Sequence, residues 1–160
     1  MNILFVCTGN VSRSYLAEML LKHEIVKNHL QGIHVASAGI LDYSGLPADP
    51  IMINYLNGMN VPSGNHISRT ISREDAYWAD MIFVMEERHR EFISARWPDA
   101  VFRMERLGKY ISPDQLEDDI IDPYGKSPQH YRVVQSQIES AIKTIFIKFV
   151  SHAQTQIHNG

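Results

Sequence analysis

The chain has a single cysteine, Cys7, which excludes an intramolecular disulfide framework. No grouping of cysteine and histidine has zinc-site spacing, so neither staples nor a structural metal is needed, and no metal ligands or cofactors are expected. Charge of one sign is scarce. Fifteen Lys and Arg stand against eighteen Asp and Glu, and a formal net charge of −3 gives no general reason to bind nucleic acid or an anionic membrane. Long apolar runs are lacking too. Met1-Asn2-Ile3-Leu4-Phe5-Val6 has no basic flank or small-residue cleavage site and ends within six residues, far short of a signal peptide or a spanning helix. The expectation is a soluble protein of a reducing cytoplasm. There is no GxGxxG, no internal repeat and no low-complexity tract.

What is present suffices for one domain: 160 residues, 44% of them hydrophobic, can fill a core of that size. A single domain is expected over 1–150, with a polar tail over 151–160. Ile3 to Val6 reads as a buried strand entering a tight loop. Leu16, Met19, Leu20, Val26 and Leu30 then mark a helix stopped by Gly32. Ile33 to Ala38 predicts a second strand. Asp49-Pro50 predicts a capped helix closed by Gly58, and Ser72 to Ala79 another. Met81 to Met85 predicts a third strand, Glu86 to Trp97 a helix, and Val101 to Met104 a fourth strand. Tyr131, Val134, Ile138, Ile142, Ile145 and Phe149 lie along one face of a final helix. Strands alternating with helices imply an α/β fold with a parallel sheet covered on both faces, and its ligand site lies at the carboxyl ends of the strands. The irregular stretches Ile40 to Ala48 and Leu107 to Tyr131 are expected to border that site.

Cys7-Thr8-Gly9-Asn10-Val11-Ser12-Arg13 joins the first strand to the first helix, with five residues between cysteine and arginine. A loop of this length can turn successive backbone N–H groups inward, making an anion nest at a helix N-terminus. Gly9 and Asn10 tolerate the left-handed angles this needs. Arg13 offers a planar fork that matches two phosphate oxygens. The same positive field favours the thiolate of Cys7, a nucleophile for phosphorus. Ser14 could donate to the sulfur as it leaves. Such chemistry also needs an acid for the leaving group, and Asp122 in Ile120-Ile121-Asp122-Pro123-Tyr124-Gly125 is the candidate, held extended by Pro123. Glu117, Asp118 and Asp119 read as a solvated acidic stretch. Plainer roles compete with these: an inert buried cysteine, an ordinary Asp-Pro turn and a satisfied loop histidine at His66.

Cys7 to Ser14 near the N-terminus and Asp122-Pro123-Tyr124 before the last helix resemble the low-molecular-weight protein tyrosine phosphatases of bacterial type. Ser37-Ala38-Gly39, Pro47 to Pro50, His66-Ile67-Ser68-Arg69 and Ala79 to Glu86 follow in the family's order. The resemblance implies a four-stranded parallel sheet with the phosphate-binding loop after strand 1. It implies Cys7 as nucleophile, Thr8, Gly9, Asn10, Val11, Ser12, Arg13 and Ser14 as phosphate binders, and Asp122 as acid and then base. Asn10, Ser14 and His66 would support the loop, and Val11, Leu41, Tyr43 and Tyr124 would wall the substrate pocket, with Leu46 nearby. Partners would be phosphotyrosine proteins, a tyrosine kinase among them, with the chain a monomer or weak dimer.

The sequence departs from the family's pattern in three places. Ser12 stands where many members carry a second cysteine. Tyr15 replaces a proline, which predicts a looser loop. Gly125 replaces a second tyrosine found in many eukaryotic members. Arsenate reduction on this fold passes through further cysteines that this chain lacks. Members acting on phosphoarginine carry threonine where this chain has Val11, so phosphotyrosine is favoured over phosphoarginine. A binding module without catalysis would be expected to lack Cys7 or Asp122.

Overall fold

The computed structural model describes residues 1–112, 114 and 118–150. The expected polar tail 151–160 and Glu117 lie outside the described residues. Four parallel strands, β1 (Asn2–Cys7), β2 (His34–Gly39), β3 (Met81–Val84) and β4 (Met104–Arg106), form one sheet in the order β2-β1-β3-β4. Among the described residues five α-helices surround it: α1 (Arg13–Lys27), α2 (Pro50–Gly58), α3 (Arg73–Trp78), α4 (Glu87–Arg96) and α5 (Pro128–Ile145).

Period-two alternation in β1 divides its side chains between two cores. Ile3, Phe5 and Cys7 face the layer of α1, α2 and α5, where they meet Leu16, Leu21, Met52 and Ile138. Leu4 and Val6 face α3 and α4, against Ala76, Ile82 and Ile93. Each fully buried Leu, Ile or Phe contributes about 1.5–3 kcal/mol, so a strand buried on both faces is a rigid base for the loop that follows it.

The caps explain the helix boundaries. Asp49 accepts from Ile51 N–H at 2.9 Å ahead of Pro50. Ser72 and Asp75 close a reciprocal capping box on α3. Ser127 precedes Pro128 at α5, whose last turn widens to a π-turn over Phe146–Val150.

Three expectations need correction. The fourth strand begins at Met104, not Val101, because Pro98–Arg103 winds as a 3-10 helix that leaves Phe102 91% exposed. Val26 lies within α1 but on its solvent side at 73% exposure, next to the buried Ile25, and α1 ends at Lys27, so Leu30 packs back from beyond the helix, its N–H on the Ile25 carbonyl. Asp118 and Asp119 are held, not merely solvated: Arg106 pairs with them at 3.1 and 3.3 Å, and Asp119 accepts from Glu87 N–H at 2.9 Å.

Candidate active site

β1 delivers Cys7 to the carboxyl edge of the sheet, and the loop then folds over the start of α1. Asn10 takes φ +57°, the left-handed turn that lets the chain close on itself. Its side chain is fully buried and spans the loop's base. Nδ2 donates to Ser14 Oγ at 2.9 Å and to Ser37 Oγ at 2.8 Å, while Oδ1 accepts from Arg69 N–H at 3.1 Å. His66 Nε2 lies 2.6 Å from the Asn10 carbonyl oxygen and donates to it. Because both hydrogens of the Asn10 amide are spent, Ser14 is free to donate to Cys7 Sγ, 3.0 Å away. Ser37 in turn donates to the carboxylate of Glu18, which the sequence did not single out.

Tyr15 does not loosen the loop as expected. It is fully buried, its ring lies 4.7 Å from that of His66, and its hydroxyl donates to the Ser63 carbonyl at 2.7 Å. It fills the place behind the histidine that holds Asn10. Burial, with the charge of Glu18 adding to it, raises its pKa to about 12 despite the Ser63 bond. Ser12, although it precedes α1, makes no side-chain cap. Its hydroxyl donates to Asp49 Oδ2 at 2.5 Å, the same oxygen that accepts from Tyr131 at 2.6 Å, and so ties the loop to α2 and α5.

Arg13 is buried to 1% exposure, and only its partners make that affordable. Nη1 donates to Glu86 and to the Ile120 carbonyl at 2.7 Å; Nη2 lies 3.2 Å from Thr8 Oγ1 and 3.2 Å from Asp122 Oδ2. Burial alone would raise the pKa of Glu86, but hydrogen bonds from Arg88 and Arg13 outweigh it and hold the carboxylate down at about 2. His89 is buried and uncharged, its pKa lowered to about 3 by burial first and then by Arg13. At 4.0 Å from Glu86 it is therefore no ion-pair partner. Its Nδ1 accepts from Glu86 N–H, so Nε2 carries the hydrogen and donates to Thr8 Oγ1 at 2.9 Å. Arg88 reaches the same oxygen at 2.8 Å. Glu86, Arg88 and His89 were missed as site residues because they read only as the start of an ordinary helix.

Asp122 stands opposite the loop. Its Oδ1 accepts from Tyr124 N–H at 3.1 Å, and the segment is hung from β3 by Ile120 N–H on the Met85 carbonyl at 2.8 Å. A cavity of about 380 Å³ opens here, lined by Cys7, Thr8, Gly9, Val11, Ser12 and Arg13 on one side and by Tyr43, Leu46, Asp122 and Tyr124 on the other. Leu46, not Leu41, is the aliphatic wall; Leu41 N–H bonds the Thr8 carbonyl, outside the lining. Asn10, Ser14 and His66 lie behind the loop and not in the cavity. A larger groove of about 580 Å³ beside α1 is lined by none of Cys7, Arg13 and Asp122, so the smaller cavity, which brings all three together, is the candidate site.

Fold and loop together define a class: α/β proteins with a parallel sheet and an anion-binding type of loop between a central strand and a helix N-terminus. The chain belongs to the low molecular weight phosphotyrosine protein phosphatase family, whose model matches residues 2–156. It is 31% identical over 140 residues to a protein-arginine-phosphatase of Geobacillus stearothermophilus, covering 88% of this chain and 90% of that one. To the low molecular weight protein-tyrosine-phosphatase Wzb of Escherichia coli K12 it is 32% identical over 142 residues, covering 89% and 90%. A protein tyrosine phosphatase from Entamoeba histolytica superposes with a TM-score of 0.85 at 26% identity, covering 96% and 99%. Among the described residues no helix is long and apolar enough to cross a membrane.

Proposed function

We propose that this phosphatase hydrolyses phosphotyrosine in proteins through a phosphocysteine intermediate. The observation that carries the reading is the shared cavity: Cys7 and Arg13 form its floor, Asp122 its opposite wall, and Tyr43, Leu46 and Tyr124 the sides between them. A phosphoryl group in the loop would meet the backbone N–H groups and the fork of Arg13. Cys7 Sγ then forms a bond to phosphorus as the bond to the phenol oxygen breaks. Asp122 gives its proton to that oxygen. In the second half, Asp122 takes a proton from water as the water attacks phosphorus, and sulfur leaves with the Ser14 hydroxyl donating to it.

The aromatic and aliphatic walls suit a phenol ring, and Val11 lines the floor where the phosphoarginine members carry threonine. Phosphoarginine is the second reading, favoured by the name of the Geobacillus relative. A phosphotyrosine peptide and a phosphoarginine peptide, given side by side to wild type and Cys7→Ser without added metal, decide between them. Phosphotyrosine turnover that vanishes in Cys7→Ser is the expected result. A preference for phosphoarginine would overturn the substrate assignment, and turnover that survives in Cys7→Ser would overturn the nucleophile.

A further inference from the structure

Arg88 is the second residue of α4, an unfavourable place for a cation because a helix N-terminus carries partial positive charge. Its side chain is 52% exposed, yet the guanidinium turns back onto the phosphate loop. Nη2 donates to Thr8 Oγ1 at 2.8 Å and to Glu86 Oε1 at 3.0 Å, and Nε donates to Glu86 Oε2 at 3.1 Å. The mechanism above draws on Arg13 and leaves Arg88 without a task.

Both charge and hydrogen bonding leave this cation with capacity to spare. Glu86 is one carboxylate facing two guanidinium groups, Arg13 and Arg88, and cannot neutralise both. Asp122 offsets Arg13 at 3.2 Å in the free site but is protonated when it serves as the acid. Thr8 Oγ1 is approached by three N–H donors: Arg13 at 3.2 Å, Arg88 at 2.8 Å and His89 at 2.9 Å. A hydroxyl oxygen has two lone pairs, so one donor is surplus. Arg13 and His89 are locked in the core at 1% and 0% exposure, whereas Arg88 can swing out to a new acceptor. The charges of Asp122 and Cys7 add to the hydrogen bond from Glu86, the largest cause, in raising the pKa of Arg88, which puts its guanidinium within electrostatic reach of the reacting groups.

Given a phosphotyrosine held over Cys7, we infer that Arg88 is a specificity residue: it releases Thr8 and binds an acidic side chain beside the phosphotyrosine. The substrate class is then phosphotyrosine in acidic sequence. A rim pair of this kind is partly solvated, which sets its contribution at about three- to tenfold in kcat/KM. Phosphoarginine, by contrast, would bring a second guanidinium to the same rim.

The test uses four peptides, phosphotyrosine or phosphoarginine each with acidic or neutral flanks, and reads the acidic-to-neutral ratio of kcat/KM. Wild type should favour the acidic phosphotyrosine peptide by about three- to tenfold, less as salt is raised. Arg88→Ala should bring the ratio to one, and Arg88→Glu should invert it. A ratio unmoved by Arg88→Glu overturns the inference, as does a drop in both peptides that leaves their ratio intact, which would make Arg88 a support of the loop. The flank ratio is read on whichever phosphoamino acid is hydrolysed, so a failure of the phosphotyrosine assignment shows separately.

Discussion

Gly39, the last residue of β2, lies so close to Thr8 that a β-carbon on it would meet the Thr8 carbonyl oxygen at 2.7 Å. It would also come within 3.0 Å of the Asn10 nitrogen and the Gly9 carbonyl carbon. All three are backbone atoms of the loop that follows β1, so none can step aside by a rotamer change. Gly39→Ala should therefore displace the loop, at about 1–3 kcal/mol of stability and about 10- to 100-fold in kcat/KM. Thermal denaturation and steady-state kinetics on one preparation check both; an unchanged kcat/KM would mean the loop tolerates the shift.

Asp122→Asn keeps the shape of the side chain and its acceptor for Tyr124 N–H but loses the proton. We expect kcat to fall by about 10²- to 10⁴-fold. The loss should be steeper for substrates with poor leaving groups, since those need the acid most. Aryl phosphates of graded phenol acidity measure this directly, and an equal loss across the series would assign Asp122 to binding.

Acid should weaken the fold in two stages. His89 has a pKa of about 3 in the folded chain against an ordinary 6.5, so the unfolded chain binds the extra proton. Its contribution is complete above pH 6.5 and is lost as pH falls toward 3. Glu86, lowered from 4.5 to about 2, stabilises above pH 4.5 and loses that contribution between there and 2. The unfolding free energy from urea titrations should fall below about pH 6.5 and more steeply below about 4.5, by one to a few kcal/mol in total. In His89→Gln the first stage should disappear while the second remains.

Peroxide should inactivate the enzyme irreversibly. Cys7 is the only thiol of the chain, and the hydroxyl of Ser12 is already engaged by Asp49, so a sulfenic acid at Cys7 has no thiol nearby to condense with. Further oxidation to sulfinic and sulfonic acid is expected. Peptide mapping should place two or three added oxygens on Cys7 itself, apart from any sulfoxides on the seven methionines, with activity not regained in dithiothreitol. Full recovery would point to a protective bond elsewhere.

Much of this was readable from residue order. The buried run Ile3 to Val6, the loop from Cys7 and the Asp-Pro turn each carry their signal locally, and β1, the loop and the Asp122 turn stand where those signals place them. Val101 to Met104 misled because an apolar strand-length run does not show that Pro98 starts a 3-10 turn. Leu30 kept helical spacing but lies past the end of α1, since period alone does not say where a helix ends, and Val26, inside the helix, falls on its solvent side beside the buried Ile25. Tyr15 was judged by the proline it replaces, and only its contact with His66, distant in sequence, shows what it does. Glu18, Glu86 and Arg88 were hidden for the same reason: their partners Ser37, Arg13 and Thr8 come together through the fold, and no spacing encodes that.

The two sides of the cavity differ in how firmly they are anchored. β1 pairs on both edges, with β2 and with β3, whereas the Asp122 segment hangs from the Ile120 bond to Met85 and the reach of Arg13, with Ile121 50% and Tyr124 67% exposed. In hydrogen exchange the amides of β1 should open only with the whole molecule, and those of 121–125 by local release. A molecule caught in that partly open state would still accept phosphate from a good leaving group. Without its base it could not give the phosphate up, and would accumulate as the phosphorylated protein.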